Sequence, residues 1–257
     1  MVGEPIISLK GVSKVFEGPR GEKIEAVAPL DLRIENNDSG DFVAVLGPSG
    51  CGKSTVLNMI SGLIAPTAGE LQVLGHSAGH SNGQTVTVPQ KYTCFPWLTV
   101  LQNVRFGLEL QGLPAKSCDE VALRYLEKVG LAARTGAYPR ELSGGMQQRV
   151  AIARAMAVSP KILLMDEPFG ALDSQTRGEM QQMLLDLWES EKSTILFITH
   201  DISEALFLAN RILVFSSRPA RILKDFTVSY PRPRSRELFY DPDFIQSARA
   251  LAELLRT

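Results

Sequence analysis

Residues Gly47 to Ser54 read GPSGCGKS, the spacing G-x-x-x-x-G-K-[ST] of a loop whose backbone cradles phosphates. Along the loop of Gly47, Pro48, Ser49, Gly50, Cys51 and Gly52, the backbone N–H groups, which all but Pro48 carry, can turn toward a bound β-phosphate. A helix beginning near Lys53 and continuing through Ser54 and Thr55 would add its positive dipole end. Lys53 would neutralise the β- and γ-phosphates, and the Ser54 hydroxyl would bind Mg²⁺. Farther along, the apolar run Ile162–Met165 ends in Asp166 and Glu167. Asp166 is suited to hold Mg²⁺ through water, and Glu167 to polarise an attacking water as general base. His200 ends another apolar run, next to Asp201, where a side chain can reach a γ-phosphate. Gln90 follows Val86 and Val88 and can sit beside the Mg²⁺. A second anion site is written at Leu142–Arg149, LSGGMQQR, where Ser143, Gly144 and Gly145 stand at the start of a helix without a phosphate loop of their own. A second phosphate site in a chain with one phosphate loop implies service to another subunit.

Positioning these groups calls for an α/β sheet. Phe42–Leu46 is apolar throughout and feeds the phosphate loop, which predicts a strand buried on both faces. The runs Ile162–Met165 and Thr194–Ile198 predict two more, and all three carry polar residues at their C-terminal ends, where open α/β sheets bind ligands. Leu30, Leu32 and Ile34 alternate with Asp31, Arg33 and Glu35, as in a strand with one wet face. Lys91 to Ser159 reads as mostly helical. Ser117 and Glu120 have capping-box spacing, and Ser143 can cap a helix through Val150 and Ala153. Met180, Met183, Leu184, Leu187 and Trp188 fall at helical spacing, as a face laid on a core. Alternating prolines at Tyr230-Pro-Arg-Pro-Arg predict an extended connector, followed by a last helix from near Pro242 that turns Phe244, Ala248, Leu251 and Leu255 inward.

The 257 residues are 44% hydrophobic and 21% charged, enough apolar material for a large core. A net charge of -1 supplies no overall basic field, so no nucleic-acid partner is expected. Three scattered cysteines suit a reducing compartment better than a disulfide framework. No apolar run approaches the ~20 residues needed to span a bilayer, nor is there a leader pattern, so membrane association is expected to come through partners.

Taken in order, GPSGCGKS, Gln90, LSGGMQQR, ILLMDE, Ala171-Leu-Asp173 and His200 resemble the nucleotide-binding subunit of an ATP-binding cassette transporter over essentially the whole chain. The resemblance implies a P-loop NTPase (RecA-like) core with an inserted helical subdomain and a small antiparallel β region. The core would span 1–90 and 160–230, the helical signature subdomain 91–159, and a C-terminal tail and helix 231–257. It implies ATP and Mg²⁺ as ligands, Phe16 stacked on adenine, and a head-to-tail dimer with the same or a homologous chain. In that dimer Ser143, Gly144, Gly145, Gln147 and Asp173 would act on the partner's nucleotide. A narrower likeness, in Phe95–Gly112, DEPFGALD, LLDLWE, THDISEAL and the YPRPR tail, is to importer ATPases for nitrate, sulfonates, taurine and bicarbonate. It implies transmembrane permease subunits docking near Pro96 and Trp97, an external substrate-binding protein, and a place on the cytoplasmic face of the inner membrane. Trp97 as buried core, and Phe16 as a strand-end core residue, are the plainer alternatives. An exporter or lipid-handling ATPase shares every catalytic motif. A soluble cassette ATPase usually carries a coiled-coil insert or two cassettes, and neither is present. The departures from the group are Pro89 before Gln90 and the Asn36–Gly40 stretch, which resembles a small insertion.

Overall fold

The computed structural model describes residues 4–37, 40–78, 83–91 and 94–256. They form two compact units, Met1–Thr85 with Thr194–Thr257, and Val86–Ser193.

The first unit contains an antiparallel sheet and part of a parallel one. Strands β1 (Pro5–Glu17) and β2 (Lys23–Glu35) run antiparallel. The expected alternation holds, with Leu30, Leu32 and Ile34 buried and Asp31 and Arg33 exposed. Strand β3 (Phe42–Leu46) is buried at every residue and leads through the phosphate loop to helix α1 (Lys53–Ile60). Strands β4 (Ala68–Val73) and β5 (His76–Ser77) complete the antiparallel sheet in the order β2-β1-β4-β5.

The second unit begins within β6 (Thr85–Val88). Helices α2 (Val100–Leu110), α3 (Ala115–Lys128) and α4 (Gly144–Ala157) follow, then β7 (Ile162–Asp166), a neighbour of β6, and the long helix α5 (Ser174–Glu191). This unit takes in most of β6, β7 and α5 as well as residues 91–159, and α5 packs on α4. Their N-terminal ends approach so closely that a Cβ on Gly145 would lie 2.6 Å from the Thr176 methyl. On α5, Met180, Leu184, Leu187 and Trp188 are buried as their spacing predicts. Ser117 and Glu120 do not cap α3. Pro114, with φ already at -58°, is its N-cap, and its carbonyl accepts the first helical bond from Cys118.

Strand β8 (Thr194–Thr199) returns the chain to the first unit, followed by α6 (Ile202–Leu208), β9 (Arg211–Phe215) and β10 (Ile222–Thr227). Here β3 lies parallel to both β8 and β9, and β10 pairs antiparallel with β9. The final helix α7 (Pro242–Leu254) starts at the expected proline and buries Phe244 and Leu251, while Ala248 and Leu255 are half-buried. Asp38 and Ser39, at the centre of the suspected insertion, lie outside the described residues.

Candidate functional site

In the first unit the phosphate loop is set by backbone geometry. Gly52 has φ 119°, and a Cβ there would lie 2.7 Å from the Ala26 carbonyl, so only glycine can make the turn into α1. Its carbonyl accepts from the Val56 N–H, which starts the helix. The Lys53 ammonium is buried and donates to the carbonyls of Gly47 at 2.8 Å and Pro48 at 2.9 Å, tying the start of the loop to its end. Ser49, Gly50 and Ser54 are exposed, Pro48, Gly52 and Thr55 half-buried, and Gly47 and Cys51 buried. The parallel register aligns Leu46 with Thr199, so Gly47 and His200 leave the same C-terminal edge of adjacent strands. Asp201 then caps α6 by accepting from the Glu204 N–H at 3.0 Å. Phe16, at the end of β1, is 37% exposed with the Lys14 ammonium 5.1 Å from its ring centre, which excludes the core reading.

In the second unit β7 delivers Asp166 and Glu167, both half-buried. Glu167 has φ 42°, a left-handed conformation that a non-glycine residue adopts only under constraint, of a kind concentrated at functional sites. The Gln90 amide donates to the Glu167 carboxylate at 3.4 Å, directly after Pro89. Tyr92 and Thr93 lie outside the described residues.

Ser143 is the N-cap of α4 and accepts from the Met146 N–H at 3.3 Å, leaving the side chain exposed beside Gly144. Gly145 is buried with its Cα turned toward α5. Gln147 also turns inward, its amide donating to the carbonyls of Pro139 at 2.9 Å and Leu142 at 3.4 Å. That corrects the expectation of a partner-facing side chain, because these bonds hold the turn that presents Ser143. Asp173 caps α5 by accepting from the Thr176 N–H at 3.0 Å. That bond, then the Thr176 hydroxyl, holds its carboxyl below the usual range.

Sequence reading missed Asn103. Fully buried on α2, it accepts from the Phe95 N–H at 2.8 Å and donates to the carbonyls of Phe95, Leu98 and Thr99 at 3.0 to 3.2 Å. An amide on the inner face of an amphipathic helix, four residues after a capping threonine, was the available signal. The loop it shapes carries Trp97, which is 71% exposed and therefore not core. The same loop reaches the signature helix twice. The Cys94 thiol donates to the Gln147 carbonyl at 3.3 Å, and the Arg154 guanidinium lies 4.7 Å from the Phe95 ring centre. Burial pushes the Cys94 thiol pKa up, against the pull of Arg154, which keeps it a donor.

A phosphate loop after a buried parallel strand, with paired carboxylates after another, defines a P-loop nucleotidase, and the capped Ser143-Gly144-Gly145 turn narrows the class to ATP-binding cassette ATPases. Residues 31–170 match the ABC transporter family, and the chain belongs to it. It is 44% identical to the nitrate import ATP-binding protein NrtD of Synechocystis sp., over 97% of this chain and 95% of that one. It is 43% identical to the aliphatic sulfonates import ATP-binding protein SsuB of Bacillus cereus, over 90% and 89% of the two chains. Among solved structures, a dimeric ATP-binding cassette in a post-hydrolysis state bound to ADP and Pi matches with a TM-score of 0.74 and 33% identity, over 88% of this chain and all of that one. Among the described residues no helix is long and apolar enough to cross a membrane.

Proposed function

We propose that this chain hydrolyses ATP as one half of a head-to-tail dimer and thereby powers a membrane importer of a small anion, nitrate or an organosulfonate. The observation that carries the dimer is the second phosphate-binding helix start, Ser143-Gly144, in a chain with a single phosphate loop. Import and substrate class rest on the similarity to nitrate and sulfonate import proteins and to the taurine import protein TauB of Roseobacter denitrificans, 42% identical.

ATP lies with its phosphates on the loop of Gly47 to Thr55 and its adenine on Phe16. Mg²⁺ fits the available donors, since the Ser54 hydroxyl, the Asp166 carboxylate and the Gln90 amide oxygen are hard ligands. The ion needs few of them beside phosphates. When bound, Mg²⁺ neutralises charge on the transferred phosphoryl group. Glu167 takes a proton from the attacking water, and His200 and Lys53 stabilise charge on the γ-phosphate. Ser143 and the backbone N–H groups of Gly144 and Gly145 meet the partner's nucleotide. Gln147 and Asp173 hold that surface in shape. Permease subunits dock on the loop bearing Pro96 and Trp97, at the cytoplasmic face of the inner membrane, and an external binding protein delivers the substrate.

Ser143→Arg in the assembled transporter tests the dimer. Mg-ATP should bind the isolated subunit with near-normal affinity while hydrolysis falls by about 10² or more, as when a transition-state donor is lost. Full ATPase activity from that variant would remove the head-to-tail reading.

A further inference from the structure

Tyr230-Pro-Arg-Pro-Arg234 was expected to be an extended connector, but its arginines close the end of α6. The buried Arg234 guanidinium donates to the carbonyls of Leu206 at 3.2 Å, Phe207 at 2.9 Å and Ala209 at 2.8 Å. Arg232 donates to the Leu208 carbonyl at 2.8 Å. Between them they serve four successive carbonyls at a helix C-terminus, the groups left without intrahelical partners, and place positive charge at the negative end of the helix dipole. Arg234 also bonds back to the Tyr230 carbonyl, which holds the segment's own bend. Phe207 of α6 stacks on Phe239 at 5.1 Å, and Phe239 meets Phe244 of α7 at 5.2 Å, so the tail is fastened to α6 by aromatic packing as well.

At its other end α6 begins three residues after Thr199. Only His200 and Asp201 lie between β8 and α6, and both sides of that junction are anchored. Thr199 is fixed in the parallel register with Leu46, its hydroxyl accepts from the Asp201 N–H at 3.0 Å, and Asp201 caps the helix. A helix of seven residues spans roughly 10 Å and has few internal bonds, so its orientation depends on what holds its two ends.

We infer that Arg234, assisted by Arg232, is a positioning residue for His200, acting through α6. The inference rests on the role proposed above for His200 and extends it to the tail. Without the clamp, α6 loses the donors at its C-terminus and the His200 backbone loses its fixed departure angle from the sheet. The nucleotide loop of Gly47 to Ser54 is held independently by Lys53 and Gly52. Turnover should therefore suffer while ATP binding does not.

The test is a double-mutant cycle in the assembled transporter, with single-turnover hydrolysis resolving low rates and circular dichroism confirming the fold at the assay temperature. Arg234→Ala should lower the hydrolysis rate by up to about 10²-fold, the scale of a small misplacement of a reacting group. ATP affinity should be unchanged, and Arg234→Lys should recover part of the rate. Arg232→Ala, which removes one bond, should show a smaller loss and carries the test if Arg234→Ala does not fold. In a His200→Ala background neither arginine variant should slow hydrolysis further. Equal fold-losses in both backgrounds, or a wild-type rate in a folded arginine variant, would overturn the inference and leave the proposed role of His200 standing. Wild-type hydrolysis in His200→Ala alone would instead remove that role, and the inference with it.

Discussion

The phosphate loop and the signature turn are both glycine-bearing helix starts, yet they are built by opposite means. At Gly47–Ser54 the shape comes from the backbone: a glycine at φ 119° that no side chain can replace, and a lysine bonded to carbonyls five and six residues away. At Ser143–Gly145 the shape is supported from a distance. Gln147 reaches back to Pro139, Cys94 reaches Gln147 from another segment, and Gly145 is flattened against α5. A loop made of local conformational constraints tolerates change elsewhere and fails when its own residues change. A turn held by distant side chains can be loosened from many places, each at modest cost.

The largest effect should come from Gly52→Ala. Forcing a Cβ into that φ costs about 1 to 3 kcal/mol in backbone strain alone, before the clash with the Ala26 carbonyl. ATP binding by calorimetry should fall at least about tenfold, a difference of 1.4 kcal/mol. Normal affinity would show that the loop is less dependent on this glycine than its geometry implies. Asn103→Leu comes next, because it removes the partner of the half-buried Phe95 N–H and Leu98 carbonyl, while the Thr99 and Phe95 carbonyls keep the backbone N–H groups of Asn103 and Leu98. A loss on the order of 2 kcal/mol is expected by denaturant unfolding, given about 1 to 3 kcal/mol for each group left unsatisfied. Isolated subunits should still bind ATP, while coupling to the permease declines. If stability is unaltered, the Phe95–Thr99 loop is held by something other than Asn103.

Gln147→Ala should cost about 1 kcal/mol, the usual net worth of such hydrogen bonds, and lower ATPase activity several-fold without changing nucleotide affinity. A parallel drop in affinity would blur the contrast between the two sites. The smallest effect belongs to Asp173→Ala, which removes the cap of α5. The folded-state pKa of Asp173 is depressed, so the cap's contribution is complete above the unfolded-state value and is lost as pH falls through the folded one. The difference in Tm between wild type and variant should therefore be present at neutral pH and vanish in acid. A difference independent of pH would mean that the carboxylate charge is not what caps the helix.

The motifs were legible because the chemistry depends on residue type at short spacing. GPSGCGKS, the carboxylates after Ile162–Met165 and the Ser143 cap each need only a few neighbours to declare themselves. Strand β3 and the start of α7 were legible for the same local reason, an apolar run and a proline after aspartate. Capping of α3 was misread because Ser117 and Glu120 have the right spacing within a helix that Pro114 had already started. Gln147 was misread because a sequence gives no direction for a side chain, and here the direction is chosen by the carbonyls of a neighbouring turn.

Sequence alone determined the nucleotide-binding motifs and the family, since each motif consists of residues close together in the chain. Tertiary structure decided what sequence distance conceals. Asn103 shapes the Trp97 loop because a buried amide must find partners, and the chain offers Phe95, Leu98 and Thr99 only once α2 is folded. Arg232 and Arg234 become caps for α6 rather than parts of a connector because the last carbonyls of that helix need donors. Only the fold brings residues 24 to 28 positions apart close enough to supply them.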